Sequence, residues 1–182
     1  MESTFEKYGL KVRFVNEEDA AFILSLRTNP KLSQYIHYTE NDEEKQRAYI
    51  RNYKEREKLG QDYYFIFFLN DEPVGVARIY NIEGKSFTFG SWLFKEKLPY
   101  WVPIAGAIIS REYAFEKLVL EKELEVDGTY EENKGVILFS KMLGMIFDGY
   151  NMDVKGRRLT GYLLKDDFEK NKNRFIRTFP NK

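Results

Sequence analysis

The sequence contains no cysteine, one histidine in 182 residues, and no surplus of charge of either sign. The absence of cysteine excludes disulfides, thiolate metal sites and a cysteine nucleophile. A lone histidine argues against a zinc site built from several histidines, so we expect no metal. The 29 basic and 29 acidic residues balance, without the long basic run that would indicate a nucleic-acid partner.

Long apolar runs are also missing. No stretch approaches the roughly 20 apolar residues that a membrane span needs. The N-terminal "MESTFEKYGLKV" has no apolar segment of signal-peptide length. We therefore expect a soluble, cytoplasmic protein without a membrane partner, and the length predicts a single domain over 1–182.

Aromatic residues, by contrast, are abundant. They make up 16% of the chain, with 15 phenylalanines and 13 tyrosines. This composition predicts a core or a cleft lined with rings.

The order of hydrophobic patterns predicts an α+β, or mixed α/β, fold. Three consecutive strands before residue 95 indicate an antiparallel meander, and strand-helix-strand units follow it. Strands are predicted over 10–15, 62–70, 74–82, 86–94, 122–128 and twice within 145–164. Helices are predicted over 16–30, 41–60, 103–118 and 133–144, with a polar tail helix in 165–182.

This order of elements resembles the GNAT acetyltransferase fold over about residues 8–164. The stretches that carry the resemblance are "EEDAAFILSLRTNPKLSQYIHYT", "EPVGVARIYNI", "EYAFEKL" and "NKGVILFSKMLGM". They are similar to the branch that acylates amino-sugar nucleotides or protein N-termini. The resemblance implies a central, mostly antiparallel sheet with one splayed parallel strand pair, flanked by helices.

The resemblance also implies an activity. An acetyl group would move from acetyl-CoA to a primary amine by direct attack, without a covalent enzyme intermediate. The expected acceptor is a small molecule, with an amino-sugar nucleotide as one example. A protein N-terminus, as in ribosomal proteins, and a non-catalytic CoA-binding module are the alternatives, and both a monomer and a homodimer remain open.

An acetyl-CoA site follows from the same resemblance. The pantetheine arm would lie between "SFTFGSWLF" and "KELEVDG", and Asn133 matches the family asparagine that touches it. The pyrophosphate would lie at the start of the next helix, where free N–H groups and the helix dipole favour anions. Lys95, Lys97 and Arg111 would add positive charge. The expected contacts are the main chain of Trp92, Leu93 and Phe94, and residues Ile104, Ala105, Gly106 and Ala107.

Two residues are candidates for catalysis. An attacking amine must be neutral, so a base must take its proton. Histidine titrates near neutrality, and His37 lies in "YIHYT", the loop expected to face the acceptor; a packing role is the alternative. Ser140 lies seven residues after Asn133, where many relatives place a tyrosine that protonates the leaving thiolate. A serine hydroxyl is a poorer proton donor than a phenol with a pKa near 10.

The remaining candidates concern the acceptor. Tyr35, Tyr38 and Thr39 offer rings and hydroxyls to a sugar or peptide, or cover a core edge. Ser91 lies where the family's cleft opens.

Charged positions are open to two interpretations. Arg78, in the middle of a strand, needs either an anionic substrate group or a structural ion pair. The "KGRR" segment (155–158) meets a nucleotide phosphate or is a solvated turn, and Glu57 belongs to a charged helix face.

Overall fold

An eight-stranded sheet forms the centre of the computed structural model, which describes residues 4–180. Its strands are β1 (Phe5–Lys7), β2 (Leu10–Phe14), β3 (Tyr63–Leu69), β4 (Glu72–Glu83), β5 (Ser86–Phe94), β6 (Lys122–Tyr130), β7 (Ile146–Asp153) and β8 (Gly156–Leu164). They are ordered β1-β2-β3-β4-β5-β6-β8-β7, and every neighbouring pair is antiparallel except β5 and β6. The expected mixed fold with one parallel pair is confirmed.

Helices cover both faces of this sheet. They are α1 (Ala20–Arg27), α2 (Pro30–Ser33), α3 (Glu43–Lys58), α4 (Trp101–Glu112), α5 (Lys134–Leu143) and α6 (Lys165–Ile176), and α4 continues into a π-helical turn over Tyr113–Lys117. None of the described helices is long and apolar enough to cross a membrane.

The all-apolar sequence of β3 reflects this coverage. Phe65 and Phe67 pack in the cluster that contains α4, whereas Tyr64 and Ile66 pack with α1 and α3. Since successive side chains of a strand point to opposite faces, both faces of β3 are buried. A strand in that position must be apolar at every residue.

The structure differs from the predicted elements in three places. β1 was not predicted. The predicted loop 31–40 begins within a short helix, because the Asn29 side chain accepts from the Lys31 N–H at 2.9 Å and Pro30 fits the first turn. The helix predicted from Pro103 begins at Trp101, after a turn closed by the Val102 N–H on the Pro99 carbonyl at 3.0 Å.

The tail helix α6 packs against the core, with one face buried. Phe168 is fully buried. The Lys172 ammonium lies 3.0 Å from Glu112, 2.7 Å from Glu116 and 2.8 Å from Glu169. Beyond the helix, Phe179 is buried and its ring lies 6.2 Å from that of Trp101. The tail therefore contributes to the packing at the start of α4.

Candidate functional site

The parallel strands β5 and β6 separate soon after they meet. Their pairing is limited to Ser86 with Lys122 and Phe87 with Glu123. Beyond these pairs each strand runs on for seven residues, to Phe94 and Tyr130, with a gap between them. The expected splayed pair is thus present at the centre of the sheet.

A β-bulge lies where β5 leaves β6. Ser91 and Trp92 together oppose Ala77 on β4, because the register with β4 shifts between Gly90 and Leu93. Ser91 has φ of +49°, in the left-handed region that non-glycine residues rarely adopt. A bulge bends its strand and re-aims its side chains. The local backbone therefore turns β5 away from β6.

The resulting cleft has a volume of about 510 Å³. It brings together elements that are distant in sequence: α2 and the loop after it, the bulge of β5, the end of β6, the first turns of α5 and the β7–β8 turn. Eight of the predicted site residues line it, namely Tyr35, His37, Tyr38, Ser91, Trp92, Leu93, Asn133 and Ser140.

Phe94 presents backbone groups to the open edge of β5. The Lys95 N–H donates to the Val74 carbonyl of β4 at 2.8 Å. Successive residues of a strand direct their N–H and C=O groups to opposite edges. Leu93 therefore bonds towards Val76, its partner on β4, while Phe94 directs its groups away from β4. Of the predicted main-chain contacts, Phe94 is free to pair with a ligand and Leu93 is occupied.

Helix α5 places Asn133 and Ser140 on the far wall of the cleft. Asn133 precedes the helix, and its carbonyl accepts from the Ile137 N–H at 3.1 Å. Ser140 is buried two turns later. The rings of Trp92 and Phe139 lie 5.2 Å apart between these walls, and the Trp92 indole donates to the Pro103 carbonyl at 2.9 Å.

The start of α4 corrects the expected pyrophosphate contacts. Since the helix begins at Trp101, residues Ile104 to Ala107 lie past its first three positions, and their N–H groups enter the intrahelical ladder. Gly106 also packs against the Phe94 ring, where an added Cβ would lie 2.4 Å from Cζ. The first-turn donors without such a bond are the N–H groups of Tyr100 and Trp101.

Arg111 is another correction, because it adds no free positive charge to that helix start. Its guanidinium binds both carboxylate oxygens of Glu123, at 2.7 and 2.8 Å, and both side chains are buried. It also lies 3.8 Å from the centroid of the Phe89 ring. This pair forms part of the floor of the cleft.

Glu125, which the sequence analysis did not single out, lines the same cleft. Burial and the nearby Glu123 carboxylate raise the pKa of Glu125 to about 7, although the Thr129 hydroxyl donates to it and acts in the opposite direction. A carboxyl group that titrates near neutrality in a cleft is a candidate general base.

The loop after α2 forms the opposite rim of the cleft. His37 is exposed there, and Tyr38 is 88% exposed. The Tyr35 ring lies 6.1 Å from the ring of Tyr130 at the end of β6. The Tyr130 hydroxyl in turn donates to Asp153 at 2.6 Å, so the loop and the β7–β8 hairpin meet across the cleft mouth.

Three other candidates lie outside the cleft lining. The Arg78 guanidinium pairs with the buried carboxylate of Asp62 and donates to the Tyr49 hydroxyl at 2.5 Å, as the ion-pair interpretation required. Glu57 accepts from Lys54 at 2.8 Å within α3. Thr39 lines a second, smaller cavity beside the cleft.

The comparisons with known proteins agree with this architecture. The model of the acetyltransferase (GNAT) domain family matches residues 10–146. The structure of apo FdhC, a nucleotide-linked sugar GNAT, is 30% identical with a TM-score of 0.83, covering 98% of this chain and 99% of that one. No curated protein sequence matches the chain.

Two more distant structures share the fold alone. The ribosomal-protein-S5-alanine acetyltransferase of Vibrio fischeri is 15% identical with a TM-score of 0.77, covering 92% of this chain and 99% of that one. Mycobacterium smegmatis RimJ, in complex with CoA-disulfide, is 16% identical with a TM-score of 0.77, covering 98% and 93%. The chain belongs to the GNAT acetyltransferase family and is an N-acetyltransferase that uses acetyl-CoA.

Proposed function

We propose that this protein transfers the acetyl group of acetyl-CoA to the primary amine of a small molecule, with an amino-sugar nucleotide as the acceptor. The observation that carries the proposal is Glu125, a carboxyl group with a pKa of about 7 in the cleft between β5 and β6. The likeness to a nucleotide-linked sugar GNAT at 30% identity supports the acceptor class.

The gap between β5 and β6 suits the donor. Acetyl-CoA supplies the acetyl group as a thioester. Phe94 offers an N–H and a C=O along the open strand edge, and Asn133 adds an amide on the facing wall. The N–H groups of Tyr100 and Trp101, at the positive end of α4, are the donors left for an anionic group.

Glu125 acts as the general base. An amine that attacks must lose its proton, and a base with a pKa near the working pH combines availability with proton affinity. The pKa of Glu125, raised to about 7, lies near such a working pH. His37, exposed on the opposite rim, is proposed as a contact to the acceptor.

Ser140 assists the departure of the thiol. A thiol such as that of cysteine has a pKa near 8.5, far below that of an alcohol, so a thiolate leaves with less help than an alkoxide. A hydroxyl that donates a hydrogen bond to the sulfur is then sufficient, and a phenol in the place of Ser140 is not required. Backbone N–H groups around the β5 bulge are proposed to polarise the thioester carbonyl.

An acceptor panel tests the proposal. The purified chain is incubated with acetyl-CoA and nucleoside diphosphate amino sugars, free amino sugars, or peptides with a free N-terminus. Thiol release and the mass of the product are followed together. We expect thiol release matched by N-acetylation of a nucleotide-linked amino sugar. Preferential acetylation of peptides would contradict the acceptor class.

A further inference from the structure

The second cavity, called here the side cavity, adjoins the cleft and has a volume of about 380 Å³. It shares part of its lining with the cleft, namely Arg27, Ile36, Tyr38 and Lys155. The two cavities therefore meet at a pair of cationic side chains.

Within the part of the chain that the structure describes, the lining of the side cavity carries positive charge without negative charge. Besides the shared residues, its lining among the described residues consists of Thr28, Ser33, Gln34, Thr39 and Asn41, and it includes no carboxylate. The hydroxyls of Thr28 and Ser33 donate to backbone carbonyls at 2.8 Å each. The amide groups of Gln34 and Asn41 supply neutral donors at the wall.

Arg27 is half-buried, and within residues 4–180 its guanidinium has no carboxylate partner. Its Nε donates to the Thr39 hydroxyl at 2.7 Å and the guanidinium also hydrogen-bonds the Tyr64 side chain, and both contacts fix the orientation of Arg27. Buried charges are normally paired. Each of the other half-buried arginines within residues 4–180 pairs with a carboxylate, as Arg78 does with Asp62. An oriented guanidinium without an acid is built to receive an anion.

Lys155 approaches the same point from the β7–β8 turn. Its backbone N–H donates to Asp153 at 2.8 Å, and in the described part of the chain its ammonium group has no ion-pair partner. Arg158 of the same segment differs. It bonds the Gly128 carbonyl at 3.2 Å and Asp153 at 3.4 Å, and lies over the Tyr130 ring. Of these two cations, Arg158 is held by structural contacts, and Lys155 is the one that lines both cavities.

We infer that Arg27 and Lys155 bind a phosphate or diphosphate group of the acceptor in the side cavity, while the amine of the acceptor enters the cleft. This inference rests on the proposed function for the position of the amine. Guanidinium groups bind phosphate oxygens in bidentate fashion, and an ammonium adds a second charge. The acetyl-CoA gap between β5 and β6 belongs to the cleft, whereas Thr28, Ser33, Gln34, Thr39 and Asn41 line the side cavity alone.

Calorimetric titration of the CoA-saturated protein tests the inference without any acetyl transfer. The probes are inorganic pyrophosphate, UDP and uridine. We expect saturable binding of pyrophosphate and UDP, weakened by added salt, and a much weaker response to uridine. Binding of pyrophosphate only in the absence of CoA would assign the site to the phosphates of CoA and overturn the inference.

Three variants sharpen the experiment. Lys155→Met and Arg27→Met remove one charge each, and each is expected to weaken pyrophosphate binding about 10- to 100-fold, the range for a hydrogen bond to a charged group. Lys155 is exposed on a turn, so Lys155→Met leaves the core packing intact. Arg51→Met is the matched control. It removes an exposed arginine of α3 that pairs with Glu17, and it should leave pyrophosphate binding unchanged.

Equal effects of Lys155→Met, Arg27→Met and Arg51→Met would overturn the inference, as would no binding of pyrophosphate to the wild-type chain. These outcomes are separable from a failure of the proposed function. A protein that acetylates simple amines but ignores pyrophosphate lacks only the phosphate site. A protein that binds pyrophosphate but transfers no acetyl group to any amine keeps the site and loses the proposed function.

Discussion

Arg111 holds both carboxylate oxygens of Glu123, at 2.7 and 2.8 Å, two residues before Glu125 on the same strand. Residues i and i+2 of a strand share a face, so both acidic side chains lie on the same face of β6, and Glu125 lines the cleft. Arg111 pairs with Glu123, whereas Glu125 lies near the Glu123 and Asp127 carboxylates and accepts from Thr129. This division gives one carboxylate a structural role and the other a pKa suited to proton transfer.

The raised pKa of Glu125 predicts a dependence of stability on pH. The folded chain holds a proton on Glu125 up to about pH 7, whereas the unfolded chain releases it near 4.5, so stability falls as pH rises between these values. Glu125→Gln removes this loss and should stabilise the protein by about 1–3 kcal/mol above pH 8 and much less at pH 4.5. Urea unfolding at both pH values measures this change in stability, and Glu121→Gln, at an exposed position, is the control. A gain that is equal at both pH values would refute the assignment.

The Arg111–Glu123 pair predicts an asymmetry between single and double variants. Arg111→Met leaves a buried carboxylate without its partner and should cost about 3–5 kcal/mol in the free energy of unfolding. The double variant Arg111→Met with Glu123→Leu removes both charges and should recover much of this loss. Chemical denaturation of the two variants checks it, and equal destabilisation would show that the pair is not mutually dependent.

Gly106 is predicted to control the position of Phe94. A Cβ at this glycine would lie 2.4 Å from the Phe94 ring, so Gly106→Ala must displace that ring or α4. We expect a loss of about 1–3 kcal/mol in stability, as for other overpacked cores, together with weaker acetyl-CoA binding. Gly135→Ala in α5 is the control, because nothing lies within 4 Å of its added Cβ. That variant should be neutral or stabilising by up to about 1 kcal/mol; similar behaviour of both variants would contradict the packing argument.

The tail helix is predicted to be part of the folding unit. Phe168 is fully buried in the main core cluster, so Phe168→Ala should cost about 3–5 kcal/mol. Leu138→Ala, at a position that is 61% exposed on α5, serves as the control and should stay within about 0.5 kcal/mol. Thermal unfolding of both variants tests it, and a small effect at Phe168 would mean that the tail is dispensable.

Much of the fold was accessible from the sequence because its elements are locally consistent. β3 is a run of apolar residues between turns, and Gly144 ends α5 in the left-handed conformation predicted for a terminal glycine. The starts of elements were harder. Helix α4 begins at Trp101, after a turn closed on the Pro99 carbonyl. The sequence predicted a start at Pro103, because proline is common in the first turn of a helix.

Glu125 was missed because β6 inverts the usual pattern. In a half-buried strand the apolar residues should point inward, yet Glu123 is 1% exposed and Val126 is 47% exposed. Alternating acids in "KELEVDG" therefore look like a solvated face. Only the position of Arg111, twelve residues earlier in α4, explains why the acidic face turns inward, and such a pairing between elements is not visible in a single sequence.

The pH dependence of kcat/KM for acetyl transfer tests the central claim most directly. If Glu125 is the general base, kcat/KM for the wild-type chain should rise through a pKa of about 7, because only the ionised carboxylate accepts the proton of the amine. Glu125→Gln should lower kcat/KM about 10²- to 10⁴-fold and abolish that pKa from the profile, while Glu121→Gln retains both. A Glu125→Gln enzyme with near-normal kcat/KM and an unchanged profile would contradict the account.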